Sequence, residues 1–165
     1  MHYPDKQLSG GTTFPLKVLR IGEDEGVWKF NVPVRQLPHD VLHVDKESVD
    51  QESNISVHFD SIIAGKASTA INYTASFPVK GENNQVRLEA YDDQGNKINI
   101  SIDGIDLEKR KENDRVIVKG RSIIPQELKG NTNYIEIYPK IALTRKDTNK
   151  PLELQPLKIS INSWQ

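Results

Sequence analysis

Two stretches that alternate apolar with polar side chains decide the fold, ISVHFD at residues 55–60 and INYTASF at residues 71–77. Successive side chains of a β-strand point to opposite sides, so this alternation turns one face inward and leaves the other in water. The period of two continues through residues 86–90 and 98–102. A helix would instead repeat its apolar residues every three or four positions. The pattern predicts a series of half-buried strands.

The segment DDQGN at residues 92–96 separates the second pair of these runs. Asp and Asn bond to nearby backbone groups, and Gly95 tolerates positive φ, so the segment predicts the turn of a hairpin. A calcium site is the alternative, because the oxygen donors surround a glycine. The segment lacks the twelve-residue spacing and the closing glutamate of an EF-hand, so turn chemistry is the better interpretation.

Further strands are predicted at about residues 115–123, 134–143 and 152–161, with turn-forming residues between them. This spacing indicates an all-β, immunoglobulin-like antiparallel β-sandwich. Proline cannot donate to a ladder, so Pro139 and Pro156 predict edge strands or bulges in the last two runs.

Two short segments do not follow the alternation. Residues 108–113 and 125–129 are expected to be helical or irregular. The first is basic at its centre and is interpreted as a solvated loop.

An N-terminal hairpin precedes the sandwich, because strand-like runs at residues 14–21 and 27–34 flank a glycine-bounded acidic loop at 22–26. The loop predicts a wide hairpin. Trp28 and Phe30 lie two residues apart and therefore share a face, which is apolar and predicts burial in a core. Stacking on a sugar is the alternative role for these two rings.

The polar segment at residues 35–54 is interpreted as a connection between the hairpin and the sandwich. The predicted organisation is therefore an N-terminal tail, hairpin and linker at residues 1–46, or the end of a preceding domain, followed by the sandwich at residues 47–165. The length of 165 residues is ample for one sandwich with an extension.

Composition limits the classes of partner. The formal net charge is −1, with 22 basic and 23 acidic residues, which gives no electrostatic reason to expect nucleic acid. The chain has no cysteine, so disulfides and thiolate chemistry are excluded. No apolar run approaches the roughly 20 residues of a membrane helix, so we expect no membrane insertion by this fragment.

The polar clusters contain one candidate transition-metal site and no catalytic motif. His39, Asp40, His43 and Asp45 place two imidazoles and two carboxylates close together, which suits a transition metal, but a polar linker explains them as well. No nucleophile elbow, Ser-x-x-Lys or His-Glu-x-x-His motif occurs. We therefore predict no catalytic residue, no metal site and no cofactor.

Three segments together carry a family resemblance: FPLKV (14–18) with GVWKFNVPV (26–34), residues 55–57 through 72–74, and YDDQGNK (91–97). They resemble the extracytoplasmic C-terminal part of anti-sigma-factor-like membrane proteins of spore-forming Gram-positive bacteria, a group of domains of unknown function. The resemblance implies an immunoglobulin-like fold, an extracytoplasmic location and a membrane-anchored parent. It supplies no catalytic residues.

The predicted function is a noncatalytic binding or bracing module of an envelope sensor or regulator, with a protein or a cell-envelope component as partner. The alternative is a carbohydrate- or cell-wall-polymer-binding domain of a surface enzyme or adhesin. A third hypothesis is a hydrolase with an unrecognised site. Tyr134 and Tyr138 alternate with Ile135 and Ile137 and are the candidate partner contacts.

Overall fold

A computed structural model describes residues 11–35, 38–81, 83–101, 104–128, 132–143 and 150–161. The chain divides into two compact units, Met1–Pro38 and His39–Gln165. Apart from the short 3-10 helix at Val79–Gly81, the regular structure of the described residues is antiparallel strand. The prediction of an all-β antiparallel sandwich is confirmed. Ile102 and Lys129, which belonged to predicted segments, lie outside the described residues.

The first unit holds a hairpin of β1 (Thr13–Ile21) and β2 (Asp24–Pro33). Its turn is Gly22-Glu23, tighter than the predicted wide loop, because Gly22 adopts a φ of 61° that a two-residue turn requires. The strands consequently continue into the acidic segment.

The prediction that Trp28 and Phe30 are buried is wrong. The Phe30 side chain is 48% exposed, and Trp28 is half-buried. A two-stranded ribbon has no second layer of its own to cover an apolar face. Trp28 is partly covered by its own strand. A Cβ placed on Gly26 would come within 2.7 Å of the Trp28 indole ring. The ring therefore lies across the glycine two residues before it.

The second unit is the sandwich, and its two sheets have the strand orders β3-β4-β5-β9-β8 and β11-β10-β6-β7, with β12 also beside β10. The strands are β3 (His39–Asp50), β4 (Ile55–Gly65), β5 (Thr69–Pro78), β6 (Gln85–Asp92), β7 (Lys97–Ile98), β8 (Ile105–Glu112), β9 (Arg115–Ile124), β10 (Tyr134–Ala142), β11 (Leu152–Glu153) and β12 (Leu157–Ser160). The hairpin predicted across the turn at residues 92–96 is present as β6-β7.

The core consists of the inward members of each alternating run. From the first sheet it includes Phe59, Ile71 and Phe77, and from the second Ile135, Ile137 and Ile141, all at most 1% exposed. The residues between them on the same strands face outward and are less buried. The period of two in the sequence thus corresponds to the two faces of each sheet.

Two segments without apolar alternation are nevertheless strands. Residues 39–50, interpreted as part of a linker, form β3, so the sandwich unit begins at His39 rather than at residue 47. Residues 108–112, interpreted as a loop, belong to β8, whose eight side chains are all exposed. Each strand lies at an edge of the first sheet and pairs with one neighbour. Edge strands require few apolar side chains and often carry charges that discourage pairing with other chains.

The strand that contains Pro139 is internal, so the prediction that residues 134–143 form an edge is wrong. β10 pairs with β6 on one side and with β12 and β11 on the other. Pro139 accepts a hydrogen bond from the Leu154 N–H, in the segment that connects β11 to β12. The nitrogen of Pro139 points to the side of β10 where β11 and β12 lie. Neither of these short strands pairs with Pro139, so no ladder hydrogen bond is lost for want of an N–H group. Pro156 occupies the same connecting segment, and the prediction that residues 152–161 lie at an edge is confirmed.

A candidate partner-binding surface

The outward side of β10 and its neighbours forms one surface, which we call the tyrosine face. On β10 its members alternate with buried isoleucines, and neighbouring strands contribute the rest. The tyrosine face consists of Glu89, Tyr91, Tyr134, Glu136, Tyr138, Lys140 and Lys158. Both tyrosines predicted from the sequence, Tyr134 and Tyr138, therefore point away from the core and are half-buried.

Tyr138 has a partner that the sequence analysis missed. Its ring meets the ring of Tyr91 on β6 edge to face, with centroids 5.5 Å apart and an interplanar angle of 84°. The Tyr138 hydroxyl donates a hydrogen bond to Glu136 Oε2 at 3.1 Å, which raises the pKa of Tyr138. Edge-to-face packing and this hydrogen bond both favour the observed orientation of the ring. Tyr91 carried a signal in the sequence, because it alternates with the buried Ala90.

Tyr134 lies apart from this pair. Residues four apart on a strand are separated by about 13 Å, so Tyr134 and Tyr138 do not touch. The Lys158 ammonium lies 3.3 Å from the centroid of the Tyr134 ring, a cation–π contact. The two predicted residues thus share a face but are held by different neighbours.

A row of ion pairs lies beside the tyrosines. Glu89 is 3.0 Å from Lys140 and 3.4 Å from Lys97, and Lys140 also approaches Glu153 at 3.4 Å. The hydrogen bond from Lys140 lowers the pKa of Glu89, and the same bond raises the pKa of Lys140. Exposed pairs of this kind contribute little stability, typically 0–1 kcal/mol each. These pairs place positive and negative side chains in alternation beside the Tyr91 and Tyr138 rings.

The turn beside Tyr91 uses its own acidic residues. Asp92 Oδ1 accepts hydrogen bonds from the backbone N–H groups of Gln94 and Asn96 at 2.9 and 2.7 Å, and its Oδ2 accepts one from Asn96 Nδ2. The bonds from Asn96 are the main cause that lowers the pKa of Asp92. Asp93 Oδ2 accepts a 2.6 Å bond from Asn133 Nδ2, just before β10. These contacts are what turn chemistry predicts, and they tie the turn to β10.

The histidines considered as metal ligands lie on β3. His39 pairs with Gly65 and His43 with Ser61, so strand geometry separates the two by about 13 Å. Asp40 alternates to the opposite side of the strand. Among the residues that the structure describes, no three His, Asp or Glu side chains gather in an arrangement suited to a metal ion.

A different histidine cluster occurs on the outer face of the first sheet. His58 Nδ1 is 2.9 Å from Asp60 Oδ1, and His58 Nε2 is 3.0 Å from Asp45 Oδ1. Burial lowers the pKa of His58, but the hydrogen bonds with Asp60 and Asp45 together outweigh it and the net pKa is raised. Asp45 reaches His58 because β3 is irregular between His43 and Lys46. Sequence spacing could not reveal this contact, which depends on strand register.

The described part of the chain contains no helix of the length and apolarity needed to cross a bilayer.

Comparison with known proteins assigns the sandwich to a family. Residues 39–161 match the model of a family of unknown function, DUF5643. The chain belongs to this family. The match begins at the first residue of β3 and omits the hairpin. No curated protein matches the chain.

The chain is similar in fold to a solved structure, the crystal structure of the conserved domain protein from Bacillus anthracis. Its TM-score is 0.62 at 17% sequence identity. The match covers 84% of this chain and 54% of that protein, so this chain spans about half the length of the solved relative. The likeness supports the fold and carries no information about activity.

Proposed function

We propose that this DUF5643 chain is a noncatalytic binding or bracing module, which engages a protein or another envelope component through the tyrosine face. We place it on the extracytoplasmic side of a membrane-anchored, anti-sigma-factor-like envelope sensor or regulator. The location and the parent rest on the resemblance carried by residues 14–18 with 26–34, 55–57 through 72–74, and 91–97.

The observation that carries the binding role is the outward Tyr91–Tyr138 pair. Tyrosines are enriched in protein interfaces because they offer a large contact area with few rotatable bonds. Here the edge-to-face contact and the bond to Glu136 hold the rings before any partner arrives. A partner would therefore lose little side-chain entropy on binding. The neighbouring Glu89 and Lys140 add polar groups of both signs at the rim.

The second candidate is recognition of a carbohydrate or cell-wall polymer. It is supported by the three tyrosines on one sheet face, because aromatic rings stack on sugars. Both hypotheses use the same residues. Identifying the bound component as a protein or as a carbohydrate therefore distinguishes them.

The proposed function is tested by photo-crosslinking in the native, membrane-anchored protein. A benzophenone amino acid replaces Tyr138, and a matched control replaces Thr74, an outward residue of the first sheet that donates to Asp60. We expect crosslinks to a discrete envelope component from position 138 and none from position 74. Equal labelling from both positions would remove the tyrosine face from the hypothesis.

A binding experiment completes the test. The Tyr134→Ser/Tyr138→Ser variant should reduce capture of the crosslinked component by about tenfold or more, the effect of losing interface aromatics. Its thermal stability should remain nearly unchanged, because both side chains lie outside the core. A large fall in stability would show a structural role instead. Purified peptidoglycan and wall polymer form a parallel arm, in which sedimentation with the wild type but not with the variant supports the carbohydrate alternative.

A further inference from the structure

Away from its turn, the β1-β2 hairpin has one apolar face. In an antiparallel pair, residues directly opposite each other point to the same side. The register pairs Phe14 with Val32, Leu16 with Phe30, and Val18 with Trp28. These six residues are here called the hairpin apolar face. It contains no charged or polar side chain.

The opposite side of the same hairpin is mixed in polarity, and by alternation it also carries Leu19 and Val27, which are 58% and 61% exposed. There the register pairs Thr13 with Pro33, Pro15 with Asn31, and Lys17 with Lys29. The two paired lysines thus lie on one side of the ribbon and the six residues of the hairpin apolar face on the other, which is the side that a second layer would cover.

Within the described residues of the hairpin unit, no second layer covers the apolar side. Phe14 is 58% exposed, Leu16 42%, Phe30 48% and Val32 39%. A contiguous exposed patch of aromatic and aliphatic side chains marks an interaction site in soluble proteins. A two-stranded hairpin is also marginally stable by itself and needs further strands or a packing partner.

The nature of the missing layer follows from where the hairpin lies. It is outside the family domain, which starts at residue 39, and it forms a compact unit separate from the sandwich. The match to the Bacillus anthracis structure covers 84% of the 165 residues, about 139, which exceeds the 123 residues from 39 to 161. That relative therefore resembles this chain beyond the sandwich, and nearly half of its own length lies outside the match.

We propose that the hairpin belongs to a second β-domain of the full-length protein and that the hairpin apolar face packs on an apolar sheet of that domain. The alternating pattern of β1 and β2 is that of strands with one buried side, which a sheet covers more completely than a peptide or a small ligand. In the described part of the chain, β1 and β2 each pair with one strand, so the outer edge of each has free backbone groups. A strand of the second domain could extend the ladder by pairing with them.

The proposal is tested by comparing this 165-residue chain with the full-length natural protein. Both carry Trp164→Phe, which leaves Trp28 as the single tryptophan of the 165-residue chain, and any tryptophan in the added part of the full-length protein is replaced by phenylalanine. Iodide quenching and emission of Trp28 report its exposure, and hydrogen exchange reports the amides of β1 and β2. In the full-length protein we expect weaker quenching, blue-shifted emission and exchange slower by at least about tenfold. A Trp28 that is equally accessible in both chains, or equally protected in both, would overturn the proposal.

Matched variants locate the contact. Phe30→Ser should lower the melting temperature of the full-length protein and leave sandwich unfolding in the 165-residue chain unchanged. The control, Lys17→Ser/Lys29→Ser on the opposite side, should be silent in both. A Phe30→Ser variant that is silent in the full-length protein contradicts the proposal. So does concentration-dependent dimerisation of the 165-residue chain that protects Trp28, because the occupant would then be a second copy.

Discussion

Tyr73, on β5, is the bulkiest fully buried side chain among the described residues and is only 2% exposed. It fits because the facing residue of β9 is Gly120, where an added Cβ would lie 2.3 Å from the tyrosine ring. Its hydroxyl is hydrogen-bonded to Ser122. A polar group in the core is tolerated when it is bonded in this way.

Burial of Tyr73 predicts a loss of stability in alkali. Desolvation, assisted by Asp106, raises the pKa of Tyr73 from 10.0 to about 12. Above pH 10 the unfolded chain releases this proton while the folded chain retains it, so the free energy of unfolding should fall between about pH 10 and 12. The ionisation of Tyr73 should account for a decrease in the free energy of unfolding on the order of 2 kcal/mol over this range. Urea titrations at several pH values should show a shallower decline for Tyr73→Phe, and an identical slope would contradict the assignment.

At the scale of elements, the β6-β7 turn is determined by its own residues. Asp92 satisfies the turn donors, and Gly95 adopts a φ of 81°. An added Cβ at Gly95 would meet nothing within 4 Å, so only backbone conformation limits substitution there.

This predicts a ranking of variants at one position. Gly95→Ala should reduce the free energy of unfolding by about 1–2 kcal/mol, the cost of a left-handed conformation for an ordinary residue. Gly95→Asn should cost less, because Asn adopts this conformation more readily. Denaturant midpoints measure both, and equal losses would point to a steric cause instead.

β10 illustrates the opposite case, an element whose position was not determined by its residues. Pro139 predicted an edge, yet the strand is internal, because two short strands share its far side and leave a gap opposite the proline. The rule that proline avoids paired donors holds. The gap that satisfies it depends on the β11-β12 connection, which local sequence does not reveal.

At the scale of the whole molecule, the sandwich has a complete core. Every buried hydrophobic residue of the described chain lies between Ile55 and Ile161, inside the family domain. The chain from His39 to Gln165 should therefore unfold cooperatively with a melting temperature close to that of residues 1–165. Calorimetry of the two chains provides the measurement. A decrease of several degrees on removal of residues 1–38 would show that the hairpin stabilises the sandwich.

The sequence by itself determined that the protein is built from strands, which residues of each alternating run face the core, and that Tyr134 and Tyr138 point outward. These properties follow from a period of two, which is local. Tertiary structure decided the strand order, the edge positions of the polar β3 and β8, the pairing of Tyr138 with Tyr91, and the contact of His58 with Asp45 and Asp60. The exposure of Phe30 and the half-burial of Trp28 were decided there too, since an apolar face is buried fully only where a second layer exists. Each depends on which distant segment supplies the neighbouring ladder or layer, and alternation along one strand does not specify that partner.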